Sequence, residues 1–316
     1  MICSNFLITY SPFSNYGFKN YIYQLNDSII PLENIENYSN AIVLIPYDFK
    51  NIIEPKCFSS KTNKEIPIIL PIKEKKHWSS KLEIENFLSK KTSFEEIKND
   101  KVLKHTISFE EYYSNFQIIQ EYLHLGDIYE MNYCIPFVYE NITIPIEQLF
   151  LDAIYKMKSP FTAFLKYQDD YILSFSPERF LKKEKNKLFT EPIKGTAPRG
   201  LSPEEDAINK TQLKQHPKER TENAMIVDVC RNDLSRIAQK ASVKVEELFT
   251  IKSYPTVHQM VSKISCLVKE NVRFKDIINA TFPMASMTGA PKIRAMQIAE
   301  EVEKFPREYY SGCLGI

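Results

Sequence analysis

Two strand-like runs, residues 161–167 and 170–175, are separated only by Gln168 and Asp169. A third run, 187–193, begins at the tight turn Glu184-Lys185-Asn186-Lys187. Parallel neighbours need a crossover of about a dozen residues or more, so strands this close must pair antiparallel. Further along, residues 257–268 alternate cleanly. His258, Met260, Ser262, Ile264, Cys266 and Val268 share one face, and Val257, Gln259, Val261, Lys263 and Ser265 the other. Helical spacing appears between these runs: Phe109, Tyr112, Phe116, Ile119 and Leu123 follow a Ser108/Glu111 capping box, and Gly126 stops the helix. Further helices are predicted near 146–157, after the Ser202-Pro203-Glu204-Glu205 box, from Pro217, and from Pro291 to Glu303, with a strand over 128–139. Strands and helices mixed through short connections imply an α+β fold with largely antiparallel sheets.

The chain has 316 residues, 43% hydrophobic and 26% charged, enough to bury one large core or two smaller ones. The expected division is an N-terminal region, 1–105, and a catalytic region, 106–316. The first holds short apolar runs at 41–45 and 66–70 and a charged stretch from Lys73 to Asp100. A net charge of +1 gives no electrostatic case for nucleic acid or an anionic membrane as partner. Cys3, Cys57, Cys134, Cys230, Cys266 and Cys313 are far apart with no C-x-x-C pair, so neither a zinc site nor a disulfide framework is expected. The N-terminus lacks a basic region followed by an apolar run, and no apolar stretch reaches the roughly 18 residues of a membrane helix. A reduced, cytoplasmic setting is the expectation.

Only 7 glycines are present, which gives weight to Gly195 in Pro192-Ile193-Lys194-Gly195-Thr196. A lysine on a stiff, proline-bracketed loop becomes a nucleophile when its surroundings remove its proton. Gly195 and Thr196 offer an N–H and a hydroxyl suited to a carboxylate. Ser176-Pro177-Glu178-Arg179 puts a carboxyl at a strand end, on a hairpin able to bring Glu178 toward Lys194. An acid facing a lysine nucleophile is the pair needed to expel a hydroxyl while a C–N bond forms. Glu219 and Glu222, three apart on one helix, are oxygen ligands suited to Mg²⁺. On local sequence alone each has an ordinary explanation. Lys194 is then a solvated turn residue, Glu178 a partner of Arg179, the glutamate pair a solvated helix face, and His258 a hydrogen-bonded core residue.

These segments, with Gly126-Asp127-Ile128-Tyr129, Glu222-Asn223-Ala224-Met225-Ile226-Val227-Asp228, Arg231-Asn232-Asp233-Leu234, Val257-His258 and Thr288-Gly289-Ala290-Pro291-Lys292, stand in one order. Over residues 106–316 the chain closely resembles the chorismate-utilising enzymes, and among them the aminodeoxychorismate synthase branch. The resemblance implies a layered α/β fold of two stacked, mostly antiparallel sheets flanked by helices. It implies Lys194 as covalent nucleophile and Glu178 as general acid. Gly195 and Thr196 would bind carboxylate, His258 would line the pocket, and Glu222 with Glu219 nearby would hold Mg²⁺. The implied reaction converts chorismate and ammonia to 4-amino-4-deoxychorismate, the precursor of 4-aminobenzoate for folate. A glutamine amidotransferase subunit would supply the ammonia. An ordinary lysine is only about one part in a thousand neutral at pH 7, so the site must strip the proton by desolvation or a nearby metal charge.

Several positions depart from the family pattern. Glu130 stands where these enzymes commonly carry Gln, and where the water-using branch has a catalytic Lys. Met284-Ala285 replaces a glycine pair, and Ser235 a usual Gly. The chain ends at Ser311-Gly312-Cys313-Leu314-Gly315-Ile316, inside a strand, whereas family members continue. An incomplete core and little activity are expected if this is the whole polypeptide. Anthranilate synthase component I, disfavoured by Lys194, and an inactive truncated protein that binds chorismate or the partner are the alternatives.

Overall fold

The computed structural model describes residues 5–13, 19–58, 65–89, 103–139 and 145–316. Cys3 and the charged stretch beyond residue 89 lie outside them. In chain order the elements begin with β1 (Phe6–Tyr10), β2 (Tyr21–Leu25), β3 (Ala41–Ile45), α1 (Lys50–Ile53), β4 (Ile68–His77) and α2 (Lys81–Ser89). Then come β5 (Leu103–His105), α3 (Phe109–His124), β6 (Glu130–Met131), β7 (Phe137–Tyr139), α4 (Ile146–Met157), β8 (Phe161–Tyr167) and β9 (Asp170–Ser176). β10 (Arg179–Glu184), β11 (Lys187–Glu191), β12 (Ile193–Pro198), α5 (Pro203–Gln215) and α6 (Pro217–Ser235) follow. The last are β13 (Lys244–Ser253), β14 (Val257–Leu267), α7 (Phe274–Thr281), β15 (Gly289–Ala290), α8 (Lys292–Val302) and β16 (Cys313–Gly315).

The larger sheet has seven strands in the order β16-β3-β4-β2-β1-β8-β9, and its neighbours are antiparallel. This is the α+β arrangement expected from the short connections. The expected division at residue 105 runs between strands of this one sheet. β1 sits between β2 and β8, with Ile8 opposite Phe164, and β16 pairs with β3. Through its β8 edge, β1 hydrogen-bonds the segment before residue 105 to the segment after it. Its two faces are both buried: Phe6 and Ile8 pack with Phe150, Ile154 and Phe164, while Leu7 packs with Leu25, Leu44 and Leu165.

The smaller sheet is built around β14. One edge of β14 takes β13, and the other takes β11 and then β12. Pro192 divides β11 from β12 because it has no N–H, yet its carbonyl accepts from the Ser262 N–H at 3.1 Å and keeps the edge joined. α6 covers the face formed by Ile264 and Cys266 through Ile226, Val227, Cys230 and Leu234. The sheets meet where Ile45 and Ile69 pack with Ile278, Phe282, Phe180 and Leu181.

Helix starts follow their caps. Ser108 accepts from the Glu111 N–H and Ser202 from the Glu205 N–H. Half of the first capping box is spent elsewhere, since the Glu111 carboxylate pairs with Lys304 at 2.8 Å. The strand expected over 128–139 reduces to β6 and β7. The Cys134 N–H goes to the Glu303 side chain at 2.9 Å, and Pro136 has none to give. No ladder can continue through those residues.

Candidate active site

Lys194 and Gly195 occupy an irregularity of β12, where the register against β14 shifts between Ile193 and Thr196. Gly195 has φ +96°, and a Cβ there would lie 3.1 Å from Glu219 Oε2 and 3.3 Å from a Leu213 methyl. Only glycine brings this backbone so close to α6. Asn223, on α6 and 1% exposed, fixes the loop from below. Its Nδ2 donates to the Lys194 carbonyl at 3.4 Å and the Met260 carbonyl at 3.3 Å, while its Oδ1 accepts from Ser262 Oγ at 2.5 Å.

The Lys194 ammonium lies 3.0 Å from Glu130 Oε1 and 3.5 Å from Asn132 Oδ1. Glu130 reaches it because β6 pairs with β15, Glu130 opposite Ala290 and Met131 opposite Gly289. A Cβ on Gly289 would sit 2.3 Å from the Glu130 carbonyl. Both Glu130 carboxylate oxygens are buried, and apart from the Lys194 ammonium neither accepts a hydrogen bond among the described residues. Burial raises the pKa of this carboxyl, the charge and the hydrogen bond of Lys194 pull it back, and Glu222 adds repulsion.

Glu178 belongs to the same site. Its Oε1 accepts from the Ile193 N–H at 2.9 Å, one residue from Lys194. Burial pushes its carboxyl up to about 7, against the opposing pull of Ser286, the Ile193 N–H and the Lys194 charge. The local alternative, pairing with Arg179, is not what forms, since Arg179 Nε binds Glu191 at 2.6 Å. Glu178 is thus an acid poised near neutrality beside a lysine.

Glu219 and Glu222 lie on α6 one turn apart, Glu219 against the Gly195 backbone and Glu222 3.5 Å from Lys218. No group of three or more His, Cys, Asp or Glu that could hold a metal occurs among the described residues. Two half-buried carboxylates without a third nevertheless fit Mg²⁺, which commonly takes one or two and keeps its waters. Thr196 is exposed at the site edge.

His258 is not brought to Lys194 by any hydrogen bond. It is wholly buried, with Nδ1 2.8 Å from Ser253 Oγ and Nε2 3.0 Å from Asp206 Oδ1. Asp206 is held in turn by Arg199 and by the Gly200 N–H. With both ring nitrogens engaged, the ring has none to offer the pocket. Its strand neighbour Gln259 lies opposite Thr196, is 8% exposed and has a buried Oε1 that finds no partner among the described residues. Gln259, Asn132 and Asn223 escaped the sequence reading. The available signals were the polar face of β14 for Gln259 and the quoted run 222–228 for Asn223.

A cavity of about 870 Å³ opens beside this cluster, between α6, Tyr129, Phe249 and Ala290-Pro291. It is lined by residues adjoining Glu130 and Glu222, including Tyr129, Thr221 and Ala290, and contains neither Lys194 nor Glu178. The chemistry is assigned to the titratable cluster, where an acid and a lysine converge, whereas the mainly apolar cavity has Arg220 and Asp228 in its lining but neither of those two groups.

The sequence pattern of the chorismate binding enzymes matches residues 42–316. The chain belongs to that family. Among chorismate binding enzymes it is 41% identical over 213 residues to aminodeoxychorismate synthase component 1 of Klebsiella aerogenes, covering 66% of this chain and 46% of that protein. With the Escherichia coli protein of the same description it shares 42% over 206 residues, 65% and 45% of the respective lengths. The Bacillus subtilis one is 36% identical over 197 residues, 62% and 42%. The chain therefore spans about half the length of these curated relatives. In fold it is similar to anthranilate synthase component I from Streptococcus pneumoniae, with TM-score 0.72 and 21% identity over 98% of this chain and 78% of that one. The menaquinone-specific isochorismate synthase from Escherichia coli gives 0.73 at 13%, over 98% and 76%.

Proposed function

We propose that this chain aminates chorismate to 4-amino-4-deoxychorismate, on the path to 4-aminobenzoate and folate. The observation that carries this reading is the placement of Lys194 beside Glu178, whose carboxyl keeps its proton to about pH 7. The relatives described as aminodeoxychorismate synthases support it, as does the lysine itself. Lys194 attacks ring carbon C2 while Glu178 protonates the hydroxyl leaving C4, and water departs. Ammonia then bonds to C4 and the C2–Nζ bond breaks, returning the amine of Lys194. Gly195 and Thr196 would bind a substrate carboxylate at the loop. Glu219 and Glu222 would hold a Mg²⁺ whose charge neutralises another.

The ammonia would come from a glutamine amidotransferase subunit in the cytoplasm. No described helix is long and apolar enough to cross a membrane.

The test is to incubate the protein with chorismate, an ammonium salt and Mg²⁺, and to identify the product by mass and chromatography. The aminated, still non-aromatic product is expected, and Lys194→Ala should reduce its formation by at least 10²-fold. Fluorescent anthranilate from the wild type, or wild-type rates from Lys194→Ala at saturating ammonia, would refute the assignment.

A further inference from the structure

We propose that Glu130 is the base that takes the proton from Lys194 before the amine attacks. The inference rests on the amination reading for its reaction, though not for its first measurement.

The ammonium of Lys194 has two oxygen neighbours, Glu130 Oε1 at 3.0 Å and Asn132 Oδ1 at 3.5 Å. An amide oxygen accepts a hydrogen bond but is far too weakly basic to keep the proton. Glu178, between β9 and β10, is already assigned as the acid and is tied to the Ile193 N–H. Glu130 is the remaining acceptor. Its negative charge has a single support among the described residues: both oxygens are buried, and apart from the Lys194 ammonium neither accepts a hydrogen bond. The Lys194 charge is what opposes that burial. The two side chains are only 15% and 10% exposed. A substrate filling the remaining space would exclude more water, and desolvation penalises both ions of a pair. Moving one proton across 3.0 Å turns the pair into a neutral amine and a neutral acid, with no change in net charge.

The step balances within the site. A Lys194 N–H bond breaks and an O–H bond forms on Glu130. The freed nitrogen pair attacks C2 as the C4–O bond breaks, and the oxygen leaves as water with the proton of Glu178. Once ammonia has displaced Lys194, the new ammonium on C4 returns a proton to Glu178. Glu130 then gives its own back to Lys194. The sum is chorismate plus ammonia to product plus water.

Trace competitive acetylation of Lys194, read by peptide mass spectrometry between pH 6 and 8, tests the pair without turnover. While Glu130 and Lys194 share one proton, the neutral fraction of the lysine does not depend on pH. Wild-type labelling should therefore be flat, and in Glu130→Gln it should rise about tenfold per pH unit. In turnover with chorismate and ammonia, kcat/KM of Glu130→Gln should fall on the order of 10²-fold at pH 7. The mutant-to-wild-type ratio should then recover by about tenfold per pH unit. Taking the ratio removes the limb that both proteins owe to Glu178. Glu130→Asp, which retains a carboxylate, should give a smaller loss whose ratio is independent of pH. Labelling that climbs equally in wild type and Glu130→Gln overturns the proposal, as does a Glu130→Gln ratio that is unity or flat with pH. If the wild type forms no aminated product, the amination reading falls, while the labelling still decides whether Glu130 holds the proton.

Discussion

Glu178 is the residue whose charge state most directly couples the site to solution pH. Its carboxyl titrates near 7 in the folded protein because it is buried, against 4.5 as the ordinary value. The folded state therefore binds a proton that the unfolded state releases between about pH 4.5 and 7. Over that window stability falls as pH rises, and the cost above pH 7 is on the order of 3 kcal/mol. Glu178→Gln keeps an acceptor for the Ile193 N–H but never ionises. It should be more stable than wild type at pH 8 by that order and converge with it toward pH 4.5, as measured by urea unfolding. Equal stabilities at pH 8 would show that the folded carboxyl ionises freely. The same substitution should slow amination by about 10²–10⁴-fold. At this scale Lys194 and Glu178 were legible because each sits in a short, distinctive run. Glu130 was legible only as a departure from pattern. Its contact with Lys194 depends on β6 pairing with β15, which is remote in sequence. His258 reads as inward from alternation alone, but alternation does not say that Asp206 and Ser253 take its ring.

Among the elements, the β6–β15 pair depends most sharply on one backbone position. Gly289 has φ +149°, and a side-chain carbon there would meet the Glu130 carbonyl at 2.3 Å and Ala295 Cβ at 2.8 Å. Gly289→Ala should therefore destabilise the protein by about 1–3 kcal/mol and draw Glu130 away from Lys194. Gly315→Ala is the control, since nothing lies within 4 Å of its added carbon and a change within about 0.5 kcal/mol is expected. Urea titrations of the two variants, with the acetylation rate of Lys194, separate strain from a general loss of fold. If the Gly289 and Gly315 variants behave alike, the close approach at β6 is not rigid. The sequence shows Gly289 as part of a loop leading into a helix, and α8 does start there. It does not show a two-residue strand, because two residues carry no period. Lys292 follows the same pattern. Its Nζ is occupied by Asp233 at 2.5 Å and by the carbonyls of Thr281 and Pro283, which fasten the loop that presents Gly289.

For the whole molecule the consequential contact is β1 between β2 and β8, because it joins residues 6–10 to residues 162–166. Local pattern cannot reveal such a pairing: each strand is equally apolar with or without that neighbour. The composition shift near residue 105 therefore reads as a boundary, although the hydrogen bonds cross it. A fragment of residues 106–316 would bare the edge of β8 and uncover Phe164 and Leu165, now 0% and 1% exposed. It would also remove Ile45 and Ile69 from Ile278 and Phe282, and β3 from β16. Each fully buried side chain of this kind contributes about 1.5–3 kcal/mol, so losing several cancels a net stability of roughly 5–15 kcal/mol. An uncovered apolar edge strand also recruits other chains. The fragment should bind an apolar dye, self-associate, and show no cooperative urea transition, whereas the 316-residue chain should show one. A soluble monomeric fragment with a sharp transition would mean that the catalytic region folds without β1–β4. The same measurement bears on the site. Glu178 lies just past Pro177 at the end of β9, so loss of the sheet that anchors β8 and β9 should release the acid from Lys194 even where α6 and β14 persist.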